Sequence, residues 1–521
     1  MNRFRTRAGA AFVATAAVTS LAACGGKSSG ASGGGAASQS GSDAVTIATD
    51  ADAAPNGYDP LLYSQGQYQF FSTMYDALFV TDAEGTVQPN LVEDFESNAD
   101  NTELTLTLKE GVTFTDGSEL DSELVKANLD RRSDTDLAAY GQLATGGASE
   151  IAKIDTPDPQ TAVITWKAPQ ATGQNALADE AGVIVGADAV ADPDSLETTP
   201  DGSGPYTLDE GATTRASSYS LTKKDDAWNA DAYAFDTVVF KIITDRQALG
   251  NAVVSGQADV VGQLQGTAID LVESQSSITK VGGTIVGFPV ADKTGTTNEA
   301  FAKPEVRQAL SYAIDRQAIV DDLKPGARPT SQLFPESATG FDPALDEEFA
   351  YDPEKAKELL ADAGYADGFD VQQTVGGQPD DVQIAVQNQW KEIGVNLEFV
   401  TATSTDQVFA AAQTEPMLFG PFAVGGQPQG FVAGVVVGGF MNLQQAKDPD
   451  IEAALGKSLG STGADQEQAL TDLNRAITEK GWYIPVYEDF TYAGYNADKV
   501  AEPKWAGTNN FLVLQSITSA S

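Results

Sequence analysis

The chain has 521 residues and carries 31 Lys and Arg against 74 Asp and Glu, so its formal net charge is −43, and it contains no His. A polyanion of this kind repels nucleic acid and anionic lipid headgroups, and a composition that is 41% hydrophobic supports a large core divided over two or three lobes. The single Cys and the lack of His exclude internal disulfides, zinc sites with several thiolates and most hydrolase triads.

Residues 1–23 are predicted to be a signal peptide. Three Arg residues precede an apolar run over 8–23, which is short for a membrane span. The segment Leu21-Ala22-Ala23-Cys24 resembles the lipobox of bacterial lipoproteins, in which the Cys is acylated and becomes the mature N-terminus. An ordinary cleavage site beside an accidental Cys is the alternative. Residues 24–43, rich in Gly and Ser, are then a flexible tether that holds the protein at the outer face of the cytoplasmic membrane.

The body from residue 44 onward is predicted to alternate short strands with helices. An apolar run at 45–48 predicts the first strand, and Leu104, Leu106 and Leu108 alternate with Thr as in a half-buried strand. Asp121 is expected to cap the helix that follows. Further strands are predicted at 163–166 and 238–243.

The later half is predicted to be richer in helix. Pro304 suits a first helical turn, and the apolar residues after it recur at spacings of three and four. Asp352 and Pro353 predict a second helix that ends at Gly364, and a third is expected over 382–393, before a strand at 395–400. This alternation favours α/β layers.

Seven segments of the chain, in this order, carry a resemblance to a known family: Asn90-Leu91-Val92-Glu93, 104–117, Gly202-Ser203-Gly204-Pro205-Tyr206, 255–260, 306–316, 352–364 and Ile484-Pro485-Val486-Tyr487. They make the chain resemble the extracellular solute-binding proteins of ABC importers, solute-binding protein family 5. That family contains oligopeptide-, dipeptide- and nickel-binding members.

The resemblance implies an α/β, two-lobed periplasmic-binding-protein-like fold of the class II type, with an extra subdomain in the first lobe. The first lobe is expected over 44–262 and 487–521, with 76–195 as the inserted subdomain, and the second lobe over 263–486. The implied function is that of a substrate-binding lipoprotein, not an enzyme, that captures a peptide-like solute between the lobes and delivers it to a membrane permease. The expected partners are the solute, the permease subunits and, through the lipid anchor Cys24, the membrane. A monomer without cofactor or metal is expected.

Ligand-binding residues are expected in three loops, at the first crossing between the lobes and near the second. They are Tyr63, Gln65, Gln67, Gln263, Gln265, Gln378, Phe419, Phe422, Gln427, Phe431 and Trp482. The other Trp residues are expected to pack in the core, and Arg307 and Asp315 to form a salt bridge or a cap.

The chain departs from the peptide-binding pattern in two of these loops. Residues 419–428 contain no acid where well-known peptide-binding members carry one, and Gln378 stands where dipeptide binders place an Arg. A charged solute terminus buried there lacks a partner, so a neutral oligosaccharide or other uncharged metabolite is an alternative ligand. Nickel would have to enter as a chelate. A carboxylate-based hydrolase is the alternative from another class, although no motif places a pair of acids.

Overall fold

The computed structural model describes residues 44–62, 67–82, 86–132, 151–402, 407, 410–411, 413–425, 428–506 and 511–520. The strands are β1 (Ala44–Thr49), β2 (Phe79–Thr81), β3 (Val87–Pro89), β4 (Val92–Ser97), β5 (Glu103–Leu108), β6 (Ile151–Asp158), β7 (Thr161–Trp166), β8 (Tyr206–Leu208), β9 (Ser218–Lys223), β10 (Thr237–Ile242), β11 (Val260–Leu264), β12 (Ser277–Pro289), β13 (Arg328–Pro329), β14 (Phe369–Val375), β15 (Val395–Thr401), β16 (Gly420–Phe422), β17 (Tyr483–Tyr495), β18 (Trp505–Ala506) and β19 (Phe511–Leu512).

The helices alternate with these strands. They are α1 (Tyr68–Met74), α2 (Ser122–Arg132), α3 (Ala187–Ala191), α4 (Arg246–Val254), α5 (Thr267–Gln275), α6 (Pro304–Tyr312), α7 (Arg316–Leu323), α8 (Pro343–Glu348), α9 (Pro353–Asp362), α10 (Asp381–Glu392), α11 (Gln429–Phe431), α12 (Pro449–Leu459) and α13 (Gly463–Glu479). Among the described residues, no helix combines the length and the apolar character that a membrane crossing requires.

The largest sheet has nine strands in the order β16-β12-β17-β11-β1-β10-β9-β8, with β13 paired to β17. Strand β1 runs parallel to both β10 and β11, so these three strands end at the same edge. A four-stranded antiparallel sheet, β4-β5-β7-β6, and a parallel pair, β14-β15, lie outside the large sheet. The strands predicted near residues 45, 104, 163, 238 and 395 are confirmed as β1, β5, β7, β10 and β15.

Two strands of 13 residues each, β12 and β17, pair antiparallel along their whole lengths. The expectation of short strands throughout is wrong here, because Gly283, Gly287 and Pro485 interrupt the pattern that marks a strand. The pairing absorbs them through register shifts at Val281/Gly283 and Val286/Gly287. At Gly287 a side chain has no room, since a Cβ would lie 2.4 Å from the Ile484 carbonyl oxygen.

Local capping signals set the helix ends. Asp121, Asp315 and Asp352 each accept a hydrogen bond from the backbone N–H three residues further on, at 2.7, 3.0 and 2.9 Å. Gly364 and Gly394 follow α9 and α10 with φ of +88°, a conformation that glycine adopts without strain. The predicted starts and stops of these helices are therefore confirmed.

The residues expected to be structural lie in the core or, like Trp228 and Trp505, are half-buried against it. Trp390 is fully buried and Trp166 is nearly so. Arg307 is buried as well, but no described carboxylate pairs with it. Its guanidinium donates instead to the backbone carbonyl oxygens of Phe301 and Lys480, at 2.5 and 2.8 Å.

The hydrophobic core is divided into several clusters. One cluster covers the large sheet around β1 and β10 and includes residues from the C-terminal segment 500–517. A second lies within 78–184, between the four-stranded sheet and α2. Two others are formed within 285–487. Strand β17 connects these regions, because Tyr495 packs against the first cluster and Tyr483 and Ile484 belong to the last two.

The motif at 202–206 lies where the chain returns to the large sheet. The buried Asp76 carboxylate accepts hydrogen bonds from Ser203 Oγ and Trp228 Nε1, both at 2.9 Å. Gly204 N donates to the Met74 carbonyl oxygen at 2.9 Å, and a Cβ on Gly204 would lie 2.4 Å from Met74 C. The segment between α1 and β8 therefore begins and ends at the same place beside the large sheet.

Candidate functional site

Polar side chains gather at the edge where β1, β10 and β11 end. Solutes of open α/β sheets bind outside the carboxyl ends of parallel strands, so this edge is a candidate site. Arg246 Nη1 donates to Gln265 Oε1, and its Nη2 lies 3.6 Å from Asp50 Oδ2. Gln263 is exposed at a bulge in β11, with φ of +57°. The structure therefore brings two of the expected residues, Gln263 and Gln265, to this edge.

Gln67 lies under the loop that follows β1. Its side chain is buried, and Nε2 donates to the Asp52 carbonyl oxygen at 2.8 Å, so the amide supports this loop. Four other expected residues lie outside the described part of the chain: Tyr63, Gln65, Gln427 and the lipid-anchor residue Cys24.

A cavity of about 870 Å³ lies beside the same loop. Its walls are the loop at 52–62, Arg131 at the end of α2, the 3₁₀ turn Pro193–Glu197, and Arg215 and Tyr219 at the start of β9. The volume falls within the range of about 300 to 1,000 Å³ that is common for small-molecule sites. The sequence analysis singled out none of these residues.

An ion pair closes one wall of the cavity. Arg131 Nη2 contacts Asp59 Oδ2, and both side chains are largely buried. The other carboxylate oxygen of Asp59 accepts a hydrogen bond from Leu61 N at 3.0 Å. The pair therefore fixes the end of α2 against the loop after β1 and neutralises its own charges.

Two other charged side chains that line the cavity, Arg215 and Asp52, contact different partners. Arg215 Nη2 donates to the Glu197 carbonyl oxygen at 2.9 Å, and its guanidinium carbon lies 5.1 Å from the centre of the Tyr58 ring. Tyr219 Oη donates to Asp52 Oδ1 at 2.6 Å. Burial raises the pKa of Tyr219 to about 12, so this phenol keeps its proton at neutral pH.

Aromatic side chains between residues 422 and 483 form a cluster. Phe422, in β16, lies 6.4 Å from Phe431 and 5.9 Å from Tyr483 between ring centres. Trp482 belongs to the same core and is only 3% exposed. Phe419 packs in the neighbouring core instead. Three expected residues, Phe422, Phe431 and Trp482, are therefore brought together, and Phe419 is set apart from them.

A buried lysine covers the Trp482 ring. Lys293 Nζ lies 4.6 Å from the ring centre and donates to the Met441 carbonyl oxygen. Burial holds the pKa of Lys293 well below its ordinary value. Cation–π contact and a carbonyl acceptor thus take the place of a carboxylate partner for this amine.

Glu415 is the acid nearest in sequence to the acid-free loop 419–428, and its hydrogen bonds are structural. Glu415 is buried and accepts hydrogen bonds from Gln372 Nε2 at 3.0 Å and from Thr374 N and Oγ1, both at 2.6 Å. Val424, within the loop, is fully buried. Gln378 is exposed in the loop after β14. In the described part of the chain, no group of three or more acidic or thiol side chains is placed to hold a metal ion.

The sequence matches a known family model and curated proteins. The family model described as "Bacterial extracellular solute-binding proteins, family 5 Middle" matches residues 86–435. The glutathione-binding protein GsiB of Salmonella paratyphi A is 31% identical over 305 residues, which are 57% of this chain and 57% of that protein. The chain thus matches a little over half the length of this curated relative.

Solved structures share the fold. DppA from Helicobacter pylori, in complex with the peptide STSA, is 19% identical with a TM-score of 0.72 and covers 92% of this chain and 98% of its own. A dipeptide-binding protein from Pseudoalteromonas sp. SM9913, in complex with Met-Leu, is 19% identical with a TM-score of 0.70 and covers 91% of this chain and 100% of its own. These likenesses confirm the predicted α/β, two-lobed periplasmic-binding-protein-like fold.

Proposed function

We propose a transport function on the premise that this chain belongs to family 5 of the bacterial extracellular solute-binding proteins. The chain is the substrate-binding component of an ABC importer, captures a peptide-like solute between its lobes and delivers it to a membrane permease. The observation that carries this proposal is the family match over 86–435, which includes most of both lobes as we place them. The relatives named above are binding proteins, and we propose that this chain likewise converts no substrate.

The lobe boundaries are part of the proposal. We place the first lobe at 44–262 and 487–521, with the subdomain 76–195 inserted, and the second lobe at 263–486. The separate hydrophobic clusters support this division, because one group is built around β1 and β10 and the other within 285–487. The boundary at 486/487 falls within β17, which pairs with β12 along its length, so the lobes are proposed to close about this part of the sheet.

A second candidate ligand class has its own support. The loop 419–425 offers no acid, Glu415 is engaged by Gln372 and Thr374, and Gln378 replaces the expected cation. A neutral oligosaccharide or other uncharged metabolite would need no charged partner from these loops. The transport role is the same for either class.

The place of action follows from the family, whose members are extracellular proteins. The finer assignment is that Cys24 carries a lipid anchor and that residues 24–43 tether the folded body to the outer face of the membrane. The support for it is the Leu21-Ala22-Ala23-Cys24 segment and the Gly- and Ser-rich composition that follows.

The test is to identify what the protein carries. The chain is purified from its native membrane without added solute, denatured, and the released small molecules are identified by mass spectrometry. The released compound should stabilise the stripped protein by about 2.7 kcal/mol at a hundred times its dissociation constant. If the compound is instead recovered chemically altered, at a rate proportional to protein concentration, the chain is an enzyme and the proposal fails.

A further inference from the structure

We propose that the carboxyl groups of Asp116 and Asp201 share one proton, and that this proton makes the attachment of the subdomain 76–195 to the large sheet depend on pH. Asp116 lies in the turn 114–118 of the subdomain, and Asp201 lies in the segment that returns to β8. The inference goes beyond the proposed function, because it concerns a response to pH that requires no solute.

The two acids meet through both backbone and side-chain contacts. Asp116 N donates to Asp201 Oδ1 at 3.0 Å, and beside it Thr115 Oγ1 donates to the Gly202 carbonyl oxygen at 3.0 Å. The side chains of Asp116 and Asp201 also form a hydrogen bond with each other. Two ionised carboxylates have no hydrogen to place between them, so one of the two acids carries a proton.

The donors around the pair decide which acid carries the proton. Asp116 is well supplied, because Oδ1 accepts from Ser118 N at 2.7 Å and from Ser118 Oγ at 2.6 Å, and Oδ2 accepts from Asp188 N at 2.8 Å. Asp201 is only 8% exposed, and its buried Oδ2 receives no hydrogen bond within the described part of the chain. A buried oxygen that lacks a donor but lies beside an acceptor is best explained as the hydroxyl of a carboxylic acid. Asp201 is therefore the protonated member.

The pKa values of the two acids move in the directions that this assignment requires. Burial raises the pKa of Asp201, and the charge of Asp116 acts in the same direction, although the N–H groups of Asp116 and Ala189 oppose the change. Partial burial acts against ionisation of Asp116 as well, but hydrogen bonds from Asp188 N and Ser118 lower its pKa. Two pKa values that separate in this way are typical of neighbouring carboxyl groups that retain one proton.

The other titratable groups around the pair do not replace the proton. The Lys224 ammonium attracts the Asp201 carboxylate, but Asp76 attracts it more strongly, and burial lowers the pKa of Lys224. Tyr75 is buried, and burial holds the pKa of its hydroxyl well above the ordinary value, so this group stays neutral. Asp188 is exposed on α3 and adds a negative charge to the same surface.

Loss of the proton at higher pH would weaken this junction. Two carboxylates would then be in contact, and the anionic Oδ2 of Asp201 would be buried without a donor. The packing leaves no room for it to move, since a Cβ on Gly186 would lie 2.3 Å from this oxygen. We therefore expect the turn 114–118 and the start of α3 to separate from Asp201 as the pH rises. Members of the family are extracellular, so the external pH acts on this contact directly.

The two acids stabilise the junction in opposite pH ranges. The pKa of Asp201 is raised above 3.8, so its contribution is fully present below pH 3.8 and is lost as the pH rises through the pKa of the folded state. The pKa of Asp116 is lowered below 3.8, so its contribution is present above pH 3.8 and is lost as the pH falls through the pKa of the folded state. The junction is thus most stable between these two folded-state pKa values.

The test is hydrogen exchange of the full chain without solute, measured by mass spectrometry from about pH 4 to about pH 8 and corrected for intrinsic exchange rates. In the wild type, the opening constant of the segments 114–118 and 186–190 should rise by about tenfold for each unit by which the pKa of Asp201 exceeds 3.8. In Asp201→Asn it should stay constant, because the amide accepts from Asp116 N and donates to the Asp116 carboxylate at every pH. Asp192→Asn, an exposed change at the end of α3, is the matched control and should behave like the wild type.

A second variant tests the shared proton itself. In Asp116→Asn the new amide donates to Asp201, so the Asp201 carboxyl should ionise at a lower pH than in the wild type. Carbon-13 NMR of aspartate-labelled protein measures this titration, and the signal is assigned by its absence from Asp201→Asn.

Two results would overturn the inference. If Asp116→Asn leaves the titration of Asp201 unchanged, the two acids do not share a proton. If Asp201→Asn changes the opening constant by the same factor at every pH, the side chain fills space and does not respond to pH. Neither result bears on the transport role, which the identification of the bound solute tests separately.

Discussion

The backbone N–H of Ala171 donates to the carbonyl oxygen of Leu459 at 2.7 Å. Ala171 belongs to the proposed subdomain 76–195, and Leu459 ends α12 in the proposed second lobe. The bond therefore joins the two directly, in addition to the connection that β12 and β17 provide. A bond of this kind is made only in a conformation in which the subdomain and the second lobe touch.

Removing this donor should weaken solute binding. Ala171→Pro deletes the N–H, and a net contribution of about 0.5 to 1.5 kcal/mol corresponds to a loss in affinity of roughly 2- to 10-fold, because the closed population falls. Calorimetry with Met-Leu measures the loss, and small-angle X-ray scattering reports the more open shape. Thr172→Ala, which leaves the Ala171 N–H in place, is the control. Unchanged affinity and scattering in Ala171→Pro would show that the contact does not contribute to closure.

The ion pair between Arg328 and Glu488 should matter far more than the surface pairs of Arg475. Glu488 is 1% exposed and accepts from Arg328 Nε at 2.9 Å and from Nη2 at 2.7 Å, so Arg328→Met leaves a buried carboxylate unpaired and should cost about 3 to 5 kcal/mol. Arg475 is 37% exposed beside three carboxylates, and Arg475→Met should cost less than about 1 kcal/mol. Urea unfolding compares the two variants. Equal losses would contradict the assignment of Glu488 as a charge that needs Arg328.

Asp179 should make stability depend on pH. Burial raises its pKa from 3.8 to about 7, despite hydrogen bonds from Thr81 N at 2.8 Å and Oγ1 at 2.5 Å. The folded state therefore retains a proton that the unfolded state releases. The stability from this neutral acid is fully present below pH 3.8 and is lost as the pH rises through about 7.

The Asp179→Asn variant tests this sign, because the amide stays neutral. Relative to wild type, it should gain up to about 4 kcal/mol of unfolding free energy between pH 4 and pH 8, since each pKa unit is worth about 1.4 kcal/mol. Urea unfolding at several pH values gives the difference, with the exposed Asp94→Asn as the control. A difference that stays constant over this pH range would show that Asp179 is ionised throughout.

Cys24→Ser should abolish membrane anchoring. Without a thiol to acylate, the variant should be found in the soluble fraction or as an uncleaved precursor. Fractionation followed by intact-mass measurement distinguishes these forms from the acylated wild type, with Ser28→Ala in the tether as the control. A variant that remains in the membrane fraction at the mature mass of the wild type would rule out Cys24 as the anchor.

Local signals explain what the sequence could predict. The starts of α7 and α9 follow from Asp315 and Asp352, whose carboxylates bond to N–H groups within the same turn. Strands β12 and β17 escaped prediction, because their pairing is decided by partners about 200 residues away and tolerates Gly287 opposite Pro485. A strand of that kind is recognisable only once both partners are in place.

In the candidate site, too, some residues could be predicted from the sequence, whereas others are brought together only by pairing between distant strands. Gln263 and Gln265 were expected to bind ligand because of their place at the first crossing between the lobes, and the structure puts them at the end of β11, beside the end of β1. Asp52 and Arg215 are 163 positions apart and line the same cavity because β9 pairs with β10, which pairs with β1. Val424 lies in the loop that lacks an acid but is fully buried, so a charge introduced at this position would enter the core.

The hydrogen bond between Asp76 and Ser203 joins the two ends of the segment that leaves and rejoins the large sheet, and this has a consequence for how related sequences diverge. Since the backbone departs and returns at one bonded point, the residues between them amount to a long loop of the large sheet, and their number does not affect the register of β1 against β10. Homologues can therefore lengthen, shorten or replace this whole segment without changing the large sheet. The constraint falls on the junction, where Gly202 and Gly204 leave no room for a side chain against Met74.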